Sequence, residues 1–130
     1  MMLSNEMAKR IDEKRAPATA HLGVLGLPTG LTAYMGVRKV GAVKRGETFV
    51  VSAAAGAVGS IAGQIARLDG ARVIGIAGGA DKLRHLTQEL GFDAAIDYKH
   101  ENVAERLRAL APDGVDVFFD NVGGDTLDAA

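Results

Sequence analysis

The sequence predicts an α/β fold, a parallel sheet with flanking helices that stops after about four strands. Three observations carry that expectation. Short β-branched runs alternate with segments of helical apolar spacing from residue 48 to residue 120. The helical segments close on Gly70, on Gly91 and on the turn Pro112-Asp113-Gly114. The first strand runs directly into AAAGAVGS (53–60), a stretch almost without side chains, at the point where a helix begins.

The elements follow in order. Residues 4–15 mix charges of both signs and read as a solvated helix or a loose arm. Pro17 and Pro28, with Gly23, Gly26 and Gly30, break up the next stretch. LTAYMGVRKV (31–40) reads as a short helix with Leu31, Tyr34 and Met35 on one side. KRGE (44–47) is a turn, and TFVVSA (48–53) is a buried strand. Residues 57–69 place Val58, Ile61, Ala62, Ile65 and Ala66 on one helical face, and Gly70 ends them. RVIGIA (72–77) is a second strand. Residues 81–90 carry Leu83, Leu86 and Leu90 on one face, before Gly91. AAID (94–97) is a third strand, residues 101–111 a helix facing inward with Val103, Leu107 and Leu110, and VDVFFD (115–120) a fourth strand. Repeated strand–helix–strand units need right-handed crossovers, and the expected strand order is 3-2-1-4. A sheet that stops there leaves strand four with a bare edge, which calls for a second copy or a further segment to cover it.

The composition excludes several functions. The chain has 130 residues, 48% of them apolar, enough for one globular domain with a core. A net charge of −1 with scattered signs argues against nucleic-acid binding and against a polybasic membrane anchor. No apolar run reaches membrane-spanning length. The absence of Cys removes disulfides, thiolate nucleophiles and thiolate zinc sites, and fits a reducing cytoplasm.

The bare stretch has a chemical reading. Ala54-x-Gly56-x-x-Gly59 stands where a G-x-G-x-x-G would stand, between first strand and first helix. Gly56 lets backbone approach a pyrophosphate, Gly59 lets the helix pack on the strand, and the helix N-terminus offers N–H groups and a positive dipole end. An Ala/Gly-rich helix start chosen for packing alone is the bland alternative. Position after a strand, before a helix and inside a βαβ unit satisfies the context that a dinucleotide fingerprint requires. The fold is then a Rossmann-type sheet. An NAD site usually carries Asp or Glu at the end of the second strand, and no acid stands at Ala77–Gly78. GGADK (78–82) follows instead: Gly78 and Gly79 leave room, and Lys82 offers a cation, which favours NADP. Asp81 suits the helix dipole; Lys82 also reads as an ordinary surface lysine. His21, His85 and His100 lack metal-ligand spacing. Asp97, Asp116 and Asp120 lie at strand ends, where turn and capping roles are common. Tyr98 and Asn121 lie just past strands three and four, at the edge where open sheets bind ligands, and read equally as ligand contacts or loop structure.

LGVLGLPTGLTAYMGV, ETFVVSAAAGAVGSIAGQIARLDGARVIGIAGGADK, LGFDAAIDYK and VDVFFDNVGG together closely resemble the medium-chain dehydrogenase/reductase superfamily. Within it they resemble the zinc-independent branch of NADPH-dependent enone and alkenal reductases, which includes the prostaglandin/leukotriene and curcumin reductases. The resemblance runs from about residue 15 onward. It implies NADP as cofactor and hydride delivery to the β-carbon of an α,β-unsaturated ketone or aldehyde, without a metal. It implies that the loop Gly56, Ala57, Val58, Gly59 and Ser60 holds the pyrophosphate, that Lys82 and Tyr98 meet the 2′-phosphate, that Asn121 lies near the nicotinamide side, and that Thr32 faces the nicotinamide region. It also implies a division into residues 1–29, a linker and remnant of a substrate domain, and residues 30–130, a partial NADP-binding domain. The proton donor and substrate pocket are not assigned to any residue, and the chain reads as a central piece, inactive alone. A non-catalytic nucleotide-binding or assembly module is the alternative. S-adenosylmethionine-dependent methyl transfer fits less well, because neither the first nor the second strand ends on the acid expected there.

Overall fold

The computed structural model describes residues 10–130. The charged stretch expected over residues 4–15 lies outside the described residues as far as residue 9. Its remainder is exposed and turns at residues 13–15, with Asp12 accepting from the Lys14 N–H at 3.1 Å.

The elements are α1 (Ala18–Leu22), α2 (Thr32–Met35), β1 (Thr48–Val51), α3 (Ala57–Leu68), β2 (Arg72–Ala77), α4 (Ala80–Arg84), β3 (Ala94–Asp97), α5 (Val103–Leu110), β4 (Val117–Phe119) and α6 (Asp125–Ala129). Wider helical turns extend α2 on both sides, Leu27–Leu31 and Gly36–Val40, and continue α4 through His85–Glu89. The four strands are parallel, in the order β3-β2-β1-β4, as expected from the sequence. β1 pairs with β2 from Thr48 opposite Arg72 to Val51 opposite Gly75, and with β4 from Phe49 opposite Val117.

The period of two along the strands divides the core. Phe49, Val51 and Val73 point to one face, where Ala33, Val37, Ala62, Ala66, Leu86 and Phe92 cover them. Val50, Ile74, Ile76 and Ile96 point to the other, under Leu107 and Ala111. Both faces are therefore apolar, as a parallel sheet requires. Phe49 and Phe119 meet at 6.1 Å between ring centroids, tilted by 56°.

Two expectations are corrected, and a third, the inward face of α3, holds with two glycines added to it. On α2 and the helical turns that flank it, Ala33 and Val37 are buried, whereas Leu31, Tyr34 and Met35 are 46%, 40% and 43% exposed. Small residues carry the contact because the segment lies very close to the sheet: a Cβ on Gly36 would stand 2.3 Å from Phe119 Cε2. Tyr34 instead underlies Arg38, whose guanidinium carbon is 5.4 Å from the ring centroid. Arg38 forks onto Asp69 at 2.9 and 2.6 Å, which ties this segment to the end of α3 and raises the guanidinium pKa further. On α3, Gly59 and Gly63 are buried beside Ala62 and Ala66, while Val58, Ile61 and Ile65 flank them half-buried. The terminal strands are shorter than expected. β1 ends at Val51 because Ala53 turns left-handed at φ 47°, although the Ser52 N–H still donates to Phe119 O at 3.1 Å. β4 is bounded by Asp116, whose carboxylate accepts from the Thr48 N–H at 2.8 Å, and by Asp120. Helix α6 lies beyond the elements expected from the sequence.

Candidate functional site

The strand order reverses between β1 and β4, and a cleft opens at the carboxyl ends of the strands. Its volume is about 360 Å³. Ser52, Ala53, Ala55 and Gly56 line it from the β1–α3 turn, Ile76, Ala77 and Gly78 from the end of β2, Lys82 from α4, Tyr98 from the turn after β3, and Val122 and Thr126 from the segment after β4.

Each wall has a local cause. Gly56 begins α3 in an extended conformation and supplies no side-chain cap, so the first N–H groups of a 12-residue helix lack a side-chain partner there. A Cβ on Gly56 would stand 3.0 Å from Ala53 O. A Cβ on Gly59 would stand 2.5 Å from the same backbone oxygen, closer than any side chain tolerates, so Gly59 sets how near α3 approaches β1. At the end of β2, a Cβ on Gly78 would meet Tyr98 Cε1 at 2.8 Å and Lys99 Cε at 2.9 Å. The room that Gly78 leaves is thus taken by the Tyr98 ring and the Lys99 stem.

Of the residues expected at the site, Gly56, Gly78, Lys82 and Tyr98 line the cleft together. Ala57, Val58 and Ser60 lie in the first turn of α3, next to its mouth, and Gly59 is buried beneath it. Asn121 stands beside the cleft, with its Nδ2 donating to Ser52 O at 2.9 Å. Thr32 is exposed at the start of α2 and does not line the cleft.

The floor is a hydrogen-bond network in which Asn121 was expected at the site and Ser52 was not. Ser52 is fully buried. Its Oγ donates to Asp120 Oδ1 at 2.9 Å and accepts from the Asn121 N–H at 2.7 Å. Asp120 Oδ1 also accepts from the N–H groups of Val122 and Gly123, each at 3.0 Å. The Gly123 and Val122 N–H groups, with the Ser52 hydroxyl, hold the Asp120 carboxyl below its ordinary value. The outer wall has a second network. Asp97 is 8% exposed, accepts from His100 Nδ1 at 2.9 Å, and accepts from the Gly79 and Lys99 N–H groups at 3.1 Å each. The His100 contact, then the two backbone donors, lower its pKa. The strand-end acids thus perform the turn and capping work that their positions suggested. The signal for Ser52 was faint: one hydroxyl at the end of an apolar strand, where a polar group must find partners if buried.

Sheet order, crossing helices and a glycine-opened cleft at the switch point define a Rossmann-type domain. The chain belongs to the zinc-binding dehydrogenase family, whose match covers residues 57–130. YfmJ of Bacillus subtilis, named as an NADP-dependent oxidoreductase, is 56% identical over 128 residues, 98% of this chain and 38% of its own. The NADPH-dependent curcumin reductase of Escherichia coli is 48% identical, over 96% of this chain and 36% of its own. The crystal structure of CurA from Vibrio vulnificus in complex with NADPH superposes with a TM-score of 0.82 at 50% identity, covering 88% of this chain and 34% of that one. The chain spans a little over a third of the length of the curated relatives it matches. The medium-chain dehydrogenase/reductase resemblance is borne out.

The family name implies zinc. The chain has no Cys, and the described residues hold no group of three His, Asp or Glu able to take a metal ion. These residues do not fit zinc, and no step here runs through it. No helix among the described residues is long and apolar enough to cross a membrane.

Proposed function

We propose that this chain binds NADPH in the cleft between β1, β2 and β4, as the cofactor-binding part of an oxidoreductase that reduces the C=C bond of α,β-unsaturated ketones or aldehydes without zinc. One observation carries the reading: Gly56, Gly78, Lys82 and Tyr98, from three separate segments of the chain, line a single cleft at the switch point. The cleft also passes a test of fit, because Gly56 brings bare backbone to its lining and the uncapped start of α3 suits an anionic pyrophosphate.

The roles follow from placement. The turn from Gly56 through Ala57, Val58 and Ser60 presents backbone N–H groups to the pyrophosphate, and buried Gly59 holds α3 at the distance this needs. Lys82 and Tyr98, at the outer wall, are suited to a 2′-phosphate: a cation and a hydroxyl in one lining that carries no acidic side chain. Asn121, tethered through Nδ2, keeps its Oδ1 as an acceptor for the nicotinamide side. Thr32 does not line the cleft, and its role toward the nicotinamide rests on the resemblance alone. Bound NADPH supplies the hydride; the protein orients the donor and excludes competing reactions. The substrate class rests on the likeness to an enzyme named for curcumin, a conjugated enone. We extend the reading to a division at residues 29 and 30, to a cytoplasmic location, to homo-oligomer formation and to little turnover by this chain alone.

The test is a calorimetric titration of the chain with NADPH and with NADH. Lys82→Ala is expected to weaken NADPH binding about tenfold and to leave NADH unchanged. Equal loss for both nucleotides would place Lys82 outside the phosphate site.

A further inference from the structure

We infer that Asp97 is a positioning residue that sets the preference for NADPH over NADH, by joining the turn that starts α4, the helix of Lys82, to the turn that carries Tyr98. The inference rests on the cofactor reading above.

The two turns come from different crossovers. The first, Gly78–Gly79, connects β2 to α4; the second, Tyr98–His100, follows β3. Asp97 lies at the last position of β3, opposite Ala77 in the register, with its side chain almost wholly buried between them. Its Oδ1 accepts from the Gly79 N–H and from the Lys99 N–H, both at 3.1 Å. One oxygen thus bridges the two turns. Its Oδ2 faces His100 Nδ1 at 2.9 Å, and its own N–H donates to Glu101 Oε2 at 2.8 Å.

Both bridged residues lead to the cleft. The carbonyl of Gly79 accepts from the Lys82 N–H at 3.1 Å, so Gly79 fixes where α4 starts and where Lys82 emerges. Gly79 has φ 99°, a conformation only glycine adopts freely, and a turn of that kind needs an outside anchor to hold one orientation. Lys99 follows Tyr98, whose N–H donates to Ala77 O at 3.2 Å and whose ring lies on Gly78. Asp97 therefore sets the spacing between the Lys82 ammonium and the Tyr98 hydroxyl without lining the cleft. That spacing matters for a 2′-phosphate, which both groups must reach together, and not for a 2′-hydroxyl.

The test compares Kd values of NADPH and NADH for the unmodified chain, Lys82→Ala, Asp97→Ala and Asp97→Asn. Asp97→Ala is expected to lower the NADPH-to-NADH affinity ratio about tenfold, through the NADPH arm. Asp97→Asn is expected to keep the ratio within about threefold, because its Oδ1 still accepts both N–H groups. If Asp97→Ala does not fold, Asp97→Ser, one bond shorter and unable to span both turns, takes its place with the same expectation. Equal weakening of both nucleotides by Asp97→Ala, an unchanged ratio, or a loss in Asp97→Asn matching that in Asp97→Ala overturns the inference while Lys82→Ala still supports the NADPH reading. Insensitivity to Lys82→Ala, or no NADPH binding by the unmodified chain, overturns the reading and the inference together.

Discussion

Ser52 joins β1 to the segment after β4 through one hydroxyl. Its Oγ donates to Asp120 and accepts from Asn121, and the residue is fully buried. Ser52→Ala removes the acceptor of the Asn121 N–H and the hydroxyl donor to Asp120, both supplied by a fully buried side chain. The expected cost is about 1–3 kcal/mol, read from urea denaturation, with weaker NADPH binding alongside. The two lowered carboxylates give a pH signature. Asp97 and Asp120 bind their proton less readily in the fold than in the unfolded chain. The unfolded chain therefore takes up more protons as the pH falls. Their contribution is fully present above the ordinary aspartate value of 3.8 and is lost as the pH drops below it, through the depressed folded values. Denaturant midpoints measured down the acid side are expected to fall in the unmodified chain and to fall less steeply in Asp97→Asn and Asp120→Asn. What could be read in advance at this scale was uneven. Gly56, Gly78, Lys82 and Tyr98 announce themselves by motif, by spacing from a strand end or by resemblance, and they meet in the cleft. Ser52 does not, because its importance comes from β4, whose loop lies 68 residues away.

At the scale of elements, helix α3 shows why small residues matter more than large ones. Helical spacing marks Val58, Ile61, Ala62, Ile65 and Ala66 as one face, and of these the small Ala62 and Ala66 are buried together with Gly59 and Gly63, while the large three flank them. Spacing locates a face to within one residue position; only packing decides which side of it touches the sheet. A Cβ on Gly63 would stand 2.1 Å from Phe92 Cζ, and Phe92 is itself buried. Gly63→Ala is therefore expected to destabilise the chain by about 1–3 kcal/mol through overpacking, despite the better helix propensity of Ala. A thermal melt checks the sign: propensity alone predicts a higher Tm and packing a lower one. The same principle explains α2, where Ala33 and Val37 are buried and Tyr34 is left outside beneath Arg38. Strands β2 and β3 were legible to the residue, because glycine and aspartate turns bound them on both sides and both faces are covered. β1 and β4 were read too long. The left-handed turn at Ala53 is invisible in a residue type that seldom adopts it.

At the scale of the molecule, the sheet order follows from the alternation of strands and helices, and the cleft follows from the sheet order. The crossovers bring a glycine turn from residues 53–56, a cation at Lys82, an aromatic hydroxyl at Tyr98 and the segment after β4 to one end of the sheet. Calorimetric titration of the chain with NADPH and NADH, side by side with Lys82→Ala, tests whether this end is an NADPH site. Tighter binding of NADPH than of NADH is expected, with loss of that preference in the variant. Equal affinity for the two nucleotides, or a preference that survives Lys82→Ala, would contradict that assignment.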